Sequence, residues 1–337
     1  MILKPLQLIY SSVVLIKNKL YDHGFFKKEI LKTPVISVGN LSVGGTGKTP
    51  CVFFLATEIL HRNPKKKICI ISRSYKGTIR MPQKVDLSLS HAIQLFGDEP
   101  CLLQKKLPQC AVWAGPKKYL TARAAVIFDP PDLIIVDDGF SHRQLHRQFD
   151  LVLIDATVTL SQLQVLPEGR LREPIDQLGR TQAVLITKCN LTTAQNVNIL
   201  KELILEKSSV SAENIYFAEA FSQIDNLDPR HDQLYVFCGL GQPESFRSML
   251  TKLNFKIQEF KIFPDHYIYS DADLNKLIHH FETAKKINPY LRLVTTAKDG
   301  VKIRNHKIEK IVAIVDYEIK IESNKMGSLV EKISQSI

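Results

Sequence analysis

Val35-Ile36-Ser37-Val38-Gly39-Asn40-Leu41-Ser42-Val43-Gly44-Gly45-Thr46-Gly47-Lys48-Thr49-Pro50 is the stretch from which the rest of the chain is read. A short apolar run, Val35–Val38, leads into a glycine-rich loop, and residues 51–62 after it carry a helical pattern. Phosphate oxygens need several backbone N–H donors pointing inward, and glycines let a chain curl that tightly. Gly44, Gly45, Thr46, Gly47, Lys48 and Thr49 are therefore the candidate nucleotide contacts. Lys48 supplies a point charge for the β- and γ-phosphates, and Thr49 a hydroxyl for Mg²⁺. The strict form G-x-x-x-x-G-K-[ST] is not met, because Ser42 stands at its first position.

Working outward, residues 33–190 repeat a strand-then-helix unit, the mark of a mainly parallel α/β sheet. Val35–Val38, Ile68–Ser72, Leu133–Asp137, Leu151–Asp155 and Ala183–Thr187 are short apolar runs without alternation, as expected of strands buried on both faces. Composition shifts around Ser208–His231, which carries an Asp-Pro turn at Asp228-Pro229. Beyond it come strands at Tyr235–Cys238, Leu291–Thr295 and Ile311–Val315, a helix from Pro243, and a helix from Ser270 with Asp273 three residues on. The expected fold is α/β: a P-loop NTPase-like, mainly parallel sheet domain over 31–220, a smaller α/β domain over 221–337 completing a cleft, and an N-terminal interfacial helix over 1–30.

The 337 residues hold 45 Lys and Arg against 34 Asp and Glu, a net charge of +11. That balance suits either a solvated surface or an anionic partner. The six cysteines are scattered, with no C-x-x-C pair, and read as reduced core residues. At the N-terminus Ile2, Leu3, Leu6, Ile9, Tyr10, Val13, Ile16 and Leu20 mostly recur at three- and four-residue spacing. The longest uncharged stretch, Pro5 to Ile16, is short of the roughly 18–20 residues of a spanning helix. With Lys17, Lys19, Lys27, Lys28 and Lys32 following, the helix fits either the surface of an anionic membrane or packing against its own domain.

The apolar run 133–136 ends in Asp137-Asp138, carboxylates placed as a magnesium site opposite a P-loop requires. The pair itself does not say which aspartate approaches the metal. Thr187-Lys188-Cys189-Asn190 is like the guanine-reading N-K-x-D, but Asn190 replaces the carboxylate that would accept from guanine. Gly97-Asp98-Glu99-Pro100 is either a surface turn or a general base with a further metal contact. His266, in Phe263-Pro264-Asp265-His266-Tyr267, is either a structural residue of its turn or a partner for Asp98 across an interdomain cleft. Arg170 and Arg172, in Leu166-Pro167-Glu168-Gly169-Arg170-Leu171-Arg172-Glu173-Pro174, suit a phosphate clamp, because a guanidinium fork matches phosphate. Arg73 and the Thr296-Ala297-Lys298-Asp299 segment both follow strand ends, the usual place for function in such sheets.

In that order the blocks VGNLSVGGTGKTP (38–50), SRSYK (72–76), GDEP (97–100), DDGFSHR (137–143), LPEGRLREP (166–174), TK (187–188), FPDHY (263–267) and TAKD (296–299) resemble the tetraacyldisaccharide 4′-kinase family over nearly the whole chain. The resemblance implies transfer of the ATP γ-phosphate to the 4′-hydroxyl of an acylated glucosamine disaccharide 1-phosphate, giving lipid IVA in lipid A biosynthesis. It implies ATP and Mg²⁺, and peripheral attachment to the cytoplasmic face of the bacterial inner membrane, with no nucleic acid as partner. It implies Asp98 as base with His266, metal contacts at Thr49, Glu99 and Asp138, and substrate contacts at Asn40, Arg73, His142, Arg170 and Arg172. Two positions depart: Ser74 where the family usually has Gly, and Ser141 where it usually has Gln. The rival reading is a membrane-associated P-loop ATPase or GTPase acting as a switch or assembly factor, which would need no acceptor site.

Overall fold

The computed structural model describes residues 3–337 apart from Asp225 and Asn305, so Met1 and Ile2 at the head of the expected apolar stripe lie outside the described residues. Helix α1 (Leu3–Asp22) precedes β1 (Val35–Asn40), α2 (Lys48–Arg62), β2 (Ile68–Arg73), β3 (Gln83–Lys84), α3 (Ala92–Phe96), α4 (Asp98–Lys106), β4 (Ala111–Gly115) and α5 (Lys118–Phe128). Then come β5 (Leu133–Asp137), β6 (Phe149–Asp155), β7 (Ala183–Thr187), α6 (Ala194–Lys207) and β8 (Ile215–Ile224). The chain closes with β9 (Gln233–Cys238), α7 (Pro243–Lys252), β10 (Lys256–Ile262), α8 (Asp271–Ile287), β11 (Leu291–Thr296), α9 (Ala297–Gly300), β12 (Val312–Ile321) and α10 (Ser323–Ser336).

The twelve strands form one sheet in the order β10-β9-β11-β12-β8-β7-β6-β1-β5-β2-β4-β3. Every residue of β1, β5, β6 and β7 is buried, since helices cover both faces of a parallel sheet. Pairing is parallel except at the β3–β4 edge and between β8 and β12. The β8–β12 pair, Ile224 opposite Val315 through Ala218 opposite Ile321, turns the strands of the second half against those of the first.

The polar stretch read as a composition break thus contains a ten-residue strand, β8, which straddles the expected 220/221 boundary. Its Tyr216, Ala218 and Ala220 are buried while Glu219 and Phe221 are exposed. Such alternation lowers mean hydropathy and hides a strand from a search for apolar runs. The last helix also returns to the first half: Leu329, Val330 and Ile333 pack in one core with Val52, Leu55 and Ile70. The second half has its own core, where α8 sets Leu274, Leu277, Ile278 and Phe281 against Phe237 and Leu293. Helix α8 begins as its sequence predicts: Ser270 Oγ accepts from the Asp273 amide, and the Asp273 carboxylate accepts from the Ser270 amide.

Candidate active site

The loop between β1 and α2 turns through Gly44 at φ 106° and Gly47 at φ 89°, conformations open to glycine. It is held from outside by donors aimed at its carbonyls. Thr187 Oγ1 donates to Thr46 O (3.0 Å), and Lys188 Nζ to Gly45 O (2.8 Å) and to Asp155 (2.5 Å). The 166–174 run lies along the other side: the Val43 amide donates to Arg170 O, the Arg172 amide to Leu41 O, and Arg170 Nη2 to Val43 O (3.1 Å). A Cβ at Gly44 would sit 2.2 Å from that guanidinium. Asn40 turns inward as well, its Nδ2 donating to Ser42 O (2.6 Å) while its Oδ1 is buried without a partner.

Cations converge on the acidic end of β5. Asp138, left-handed at φ 53°, accepts from Arg172 Nη1 (3.1 Å), lies 3.6 Å from Lys48 Nζ, and gives its backbone carbonyl to Lys118 Nζ. Burial opposes ionisation of Asp138, but Lys48, Lys118 and Arg172 hold its carboxyl well below the usual range. Asp137 behaves oppositely: burial first, and then the nearby Glu99 charge, push it up, and its Oδ1 has no partner. Burial takes the Lys118 ammonium down to about 8 against the pull of Asp138 and Asp137. Burial also takes His142 down to about 3, helped by Lys118 and Arg73, so its imidazole is neutral at physiological pH. Ser141, at the departing position, buries its Oγ without a partner.

The second cluster joins the two halves. Gly97, at φ 89°, turns the chain so that Asp98 opens α4, its carboxylate buried. His266 Nδ1 lies 2.8 and 2.9 Å from its two oxygens. Lys302 Nζ, on a side chain 1% exposed, is 3.4 Å from Asp98 and 2.9 Å from Asp299, and Lys298 Nζ is 3.7 Å from Asp98 and 3.3 Å from His266 Nε2. Burial of Asp98 is outweighed by the His266 hydrogen bond and the two lysines, which hold it down to about 2. The Arg73–Lys76 turn closes the side: the Tyr75 ring is 5.0 Å from His266, and Lys76 Nζ donates to Asp265 O (2.9 Å).

Between these clusters lies a cleft of about 680 Å³ with Thr49, Glu99 and Lys188 on one wall and Phe246, Met249 and Lys298 on the other. Thus Lys48, Asp138 and Arg172 meet at one place, Asp98 and His266 at another, and Thr49 and Glu99 face the space they share. Arg73 and His142 lie near Lys118, close enough for their charges to act on one another. Lys118, Lys302 and the pairing of Lys188 with Asp155 were not singled out from sequence; the available signal was that Lys118 follows a strand end. Among the described residues no three His, Cys, Asp or Glu side chains form a metal cage of their own. The unpartnered Asp137 Oδ1, with Glu99 and Thr49 near it, is an oxygen donor set of the kind Mg²⁺ takes when phosphate and water supply the other ligands.

Helix α1 lies against the 166–180 segment through polar contacts. Asn18 Nδ2 donates to Glu173 (2.8 Å) and Gln177 (2.8 Å), Tyr10 OH to Arg172 O (3.2 Å), and Arg143 Nη1 to Asn18 O (2.8 Å). Leu6, Leu8, Ile9, Val13 and Ile16 are left 50–67% exposed. No helix among the described residues is long and apolar enough to cross a membrane.

The sequence profile of the family described as tetraacyldisaccharide-1-P 4′-kinase matches residues 1–336. Among curated relatives, the tetraacyldisaccharide 4′-kinase of Bdellovibrio bacteriovorus is 36% identical over 343 residues, covering 99% of this chain and 98% of its own. That of Aquifex aeolicus is 34% identical over 336 residues, covering 98% of each. Among solved structures, a crystal form of LpxK from Aquifex aeolicus in complex with ATP is similar at a TM-score of 0.75 and 30% identity, covering 98% of this chain and 97% of that one.

Proposed function

The chain belongs to the tetraacyldisaccharide-1-P 4′-kinase family, and from that we infer the reaction and the residues that carry it. It is a kinase of lipid A biosynthesis that takes ATP and phosphorylates the 4′-hydroxyl of an acylated disaccharide 1-phosphate. The observation that carries the site assignment is the Asp98–His266 pair, built from both halves, whose neighbours Glu99 and Lys298 line one cleft with Thr49 of the P-loop.

In the reaction we assign, the bond from the γ-phosphorus to the bridging oxygen of ADP breaks as a bond to the 4′-oxygen forms. The hydroxyl proton passes to Asp98. A carboxylate held at about 2 is a weak base. That fits a loose phosphoryl transfer, in which the hydroxyl is oriented early and loses its proton late. Asp98 then works mainly by orienting the hydroxyl, and His266 fixes the carboxylate that does so. Gly44 to Thr49 cradle the phosphates, and Lys48 neutralises charge on the β- and γ-oxygens. Arg170 braces the loop and Arg172 holds Asp138, while Asn40, Arg73 and His142 border the acceptor. Thr49, Glu99 and Asp138 would hold Mg²⁺, with Asp137 as the further candidate; when bound, the ion would offset phosphate charge. Residues 31–220 and 221–337 are assigned as the two halves that close on the reactants.

We assign α1 to the cytoplasmic face of the inner membrane, attached peripherally. Its support is the exposed row of Leu6, Ile9, Val13 and Ile16. A guanine-specific switch is disfavoured by Asn190, whose amide is spent on both backbone groups of Ala220.

The test is transfer of labelled γ-phosphate from ATP to tetraacyldisaccharide 1-phosphate in mixed micelles, beside a Lys48→Ala control. Label on the lipid, lost in the control, is expected. Release of free phosphate without labelled lipid would move the protein to the ATPase reading.

A further inference from the structure

We propose that the cavity between the Phe25–Ile30 turn and the 143–150 segment is a phosphate-monoester site, separate from the nucleotide cleft, and that its occupant is the headgroup of an anionic lipid. The cavity holds about 150 Å³, room for one phosphate group, and is lined by Lys28, Arg143, His146, Arg147, Arg180 and Gln182, with Asp150. It shares no lining residue with the cleft.

Its walls are built and its donors are unevenly spent. Arg147 is committed: it grips Asp150 through Nε and Nη2 and donates Nη1 to the carbonyls of His142 and Leu145, so it forms wall. Arg143 uses Nη1 and Nη2 on Asn18 O and Asp22, and Arg180 uses Nη2 on Glu173 and Nε on Gln177 O. That leaves Arg143 Nε and Arg180 Nη1 without a hydrogen-bond partner among the described residues. Gln182 accepts from the Asp150 amide through Oε1, leaving its Nε2 donors uncommitted among the described residues. Lys28 makes no ion pair among the described residues. Four cations (Lys28, Arg143, Arg147, Arg180) thus meet three carboxylates (Asp22, Asp150, Glu173), one positive charge in excess. Burial and then the Arg143, Arg147 and Arg180 charges press the Lys28 ammonium below its ordinary value, against the pull of Asp22. An anion there would relieve that repulsion.

The backbone fixes Lys28 beside His146. Glu29 N donates to Gln144 O (2.7 Å) and His146 N to Glu29 O (2.8 Å), a short bridge that brings the two segments together. Phe25 (75% exposed), Phe26 (43%) and Ile30 (74%) flank Lys28 in sequence. Exposed apolar side chains bracketing a cationic pocket suit a lipid surface more than a soluble ligand. The choice of a lipid source rests on reading α1 as the membrane face.

The experiment compares full-length protein with a Lys28→Ala/His146→Ala double variant, both side chains lying outside the proposed catalytic machinery. Sedimentation is measured with phosphatidylcholine vesicles carrying phosphatidic acid, and with vesicles carrying oleate at matched surface charge. We expect phosphatidic acid to be preferred about fivefold, the worth of one added cationic contact near a surface, and the preference to vanish in the double variant. If no lipid preference exists but inorganic phosphate raises the melting temperature of the parent and not of the variant, the lipid assignment is overturned and the occupant is a soluble phosphate. Equal binding to both vesicles with no phosphate effect overturns the site. Binding to pure phosphatidylcholine vesicles, with Val13→Asp as its control, tests the α1 reading separately.

Discussion

Asp138, half-buried, and Asp98, buried, are both carboxylates ringed by cations, yet they are assembled in different ways. The Asp138 ring draws Lys48, Lys118 and Arg172 from one half of the chain and lies on the P-loop side. The Asp98 ring takes one residue from the first half and three, His266, Lys298 and Lys302, from the second. In the roles we propose, nucleotide contacts are therefore set by one folded unit, whereas the acceptor side takes residues from both halves. With the roles we propose, such a division would make phosphoryl transfer conditional on docking of the halves, which would keep water from the phosphate until the acceptor is in place.

The sharpest way to break this comparison is Asp98→Ala. Loss of a positioned base costs about 10²–10⁴-fold in rate, so turnover should collapse while ATP still binds; near-normal lipid phosphorylation would remove Asp98 from its role. His266→Ala should cost less, about 10²-fold, as a misplaced positioning contact does, and mainly in kcat. If KM for ATP moved instead, His266 would belong to the nucleotide side. Lys302→Met tests the docking itself. Removing one partner of a buried pair costs about 3–5 kcal/mol, so thermal denaturation should show a large loss, with the second half opening first in hydrogen exchange. An equally stable variant would mean that Lys302 is not what holds Asp98.

A smaller effect separates the rings by pH. The Asp98 carboxyl is held at about 2 in the folded protein, below its unfolded value, so its contribution is full above about pH 4 and is lost as pH falls toward 2. The shift corresponds to about 2 kcal/mol. The stability gap between the parent and Asp98→Asn should narrow over that window in acid denaturation, and a gap independent of pH would contradict the pairing. Smallest is Ser270→Ala, which removes the cap of α8 and should cost about 1 kcal/mol. Because α8 packs on the second half's core, ATP affinity should be untouched.

Much of the first ring was legible in the chain. The glycines at 44, 45 and 47, the apolar strand before them and Asp137-Asp138 after another strand are local patterns, and each is tied to a local requirement of backbone or metal. Lys118 was not legible, because nothing about a lysine opening a helix says that its ammonium reaches a carbonyl twenty residues on. Strand β8 was missed because its alternating residues look polar on average. Helix α1 is instructive in the opposite sense. Its apolar stripe was plain, but a stripe alone fits both burial and a membrane; that Asn18 and Tyr10 face the body while Ile9, Val13 and Ile16 face out is a matter of packing.

The sequence by itself determined the parallel sheet, the phosphate loop and the order of the family's motifs, since these depend on short-range periodicity and on glycine's freedom at a few positions. The tertiary structure decided between the structural reading of His266 and its pairing with Asp98 across 168 residues, and it alone placed Lys298 and Lys302 behind that pair. A pairing of that span is fixed by how two cores dock along one sheet. The motifs around Asp98 and His266 mark each residue, but neither motif fixes the contact, because an Asp-His contact is chemically the same wherever the chain brings the two together.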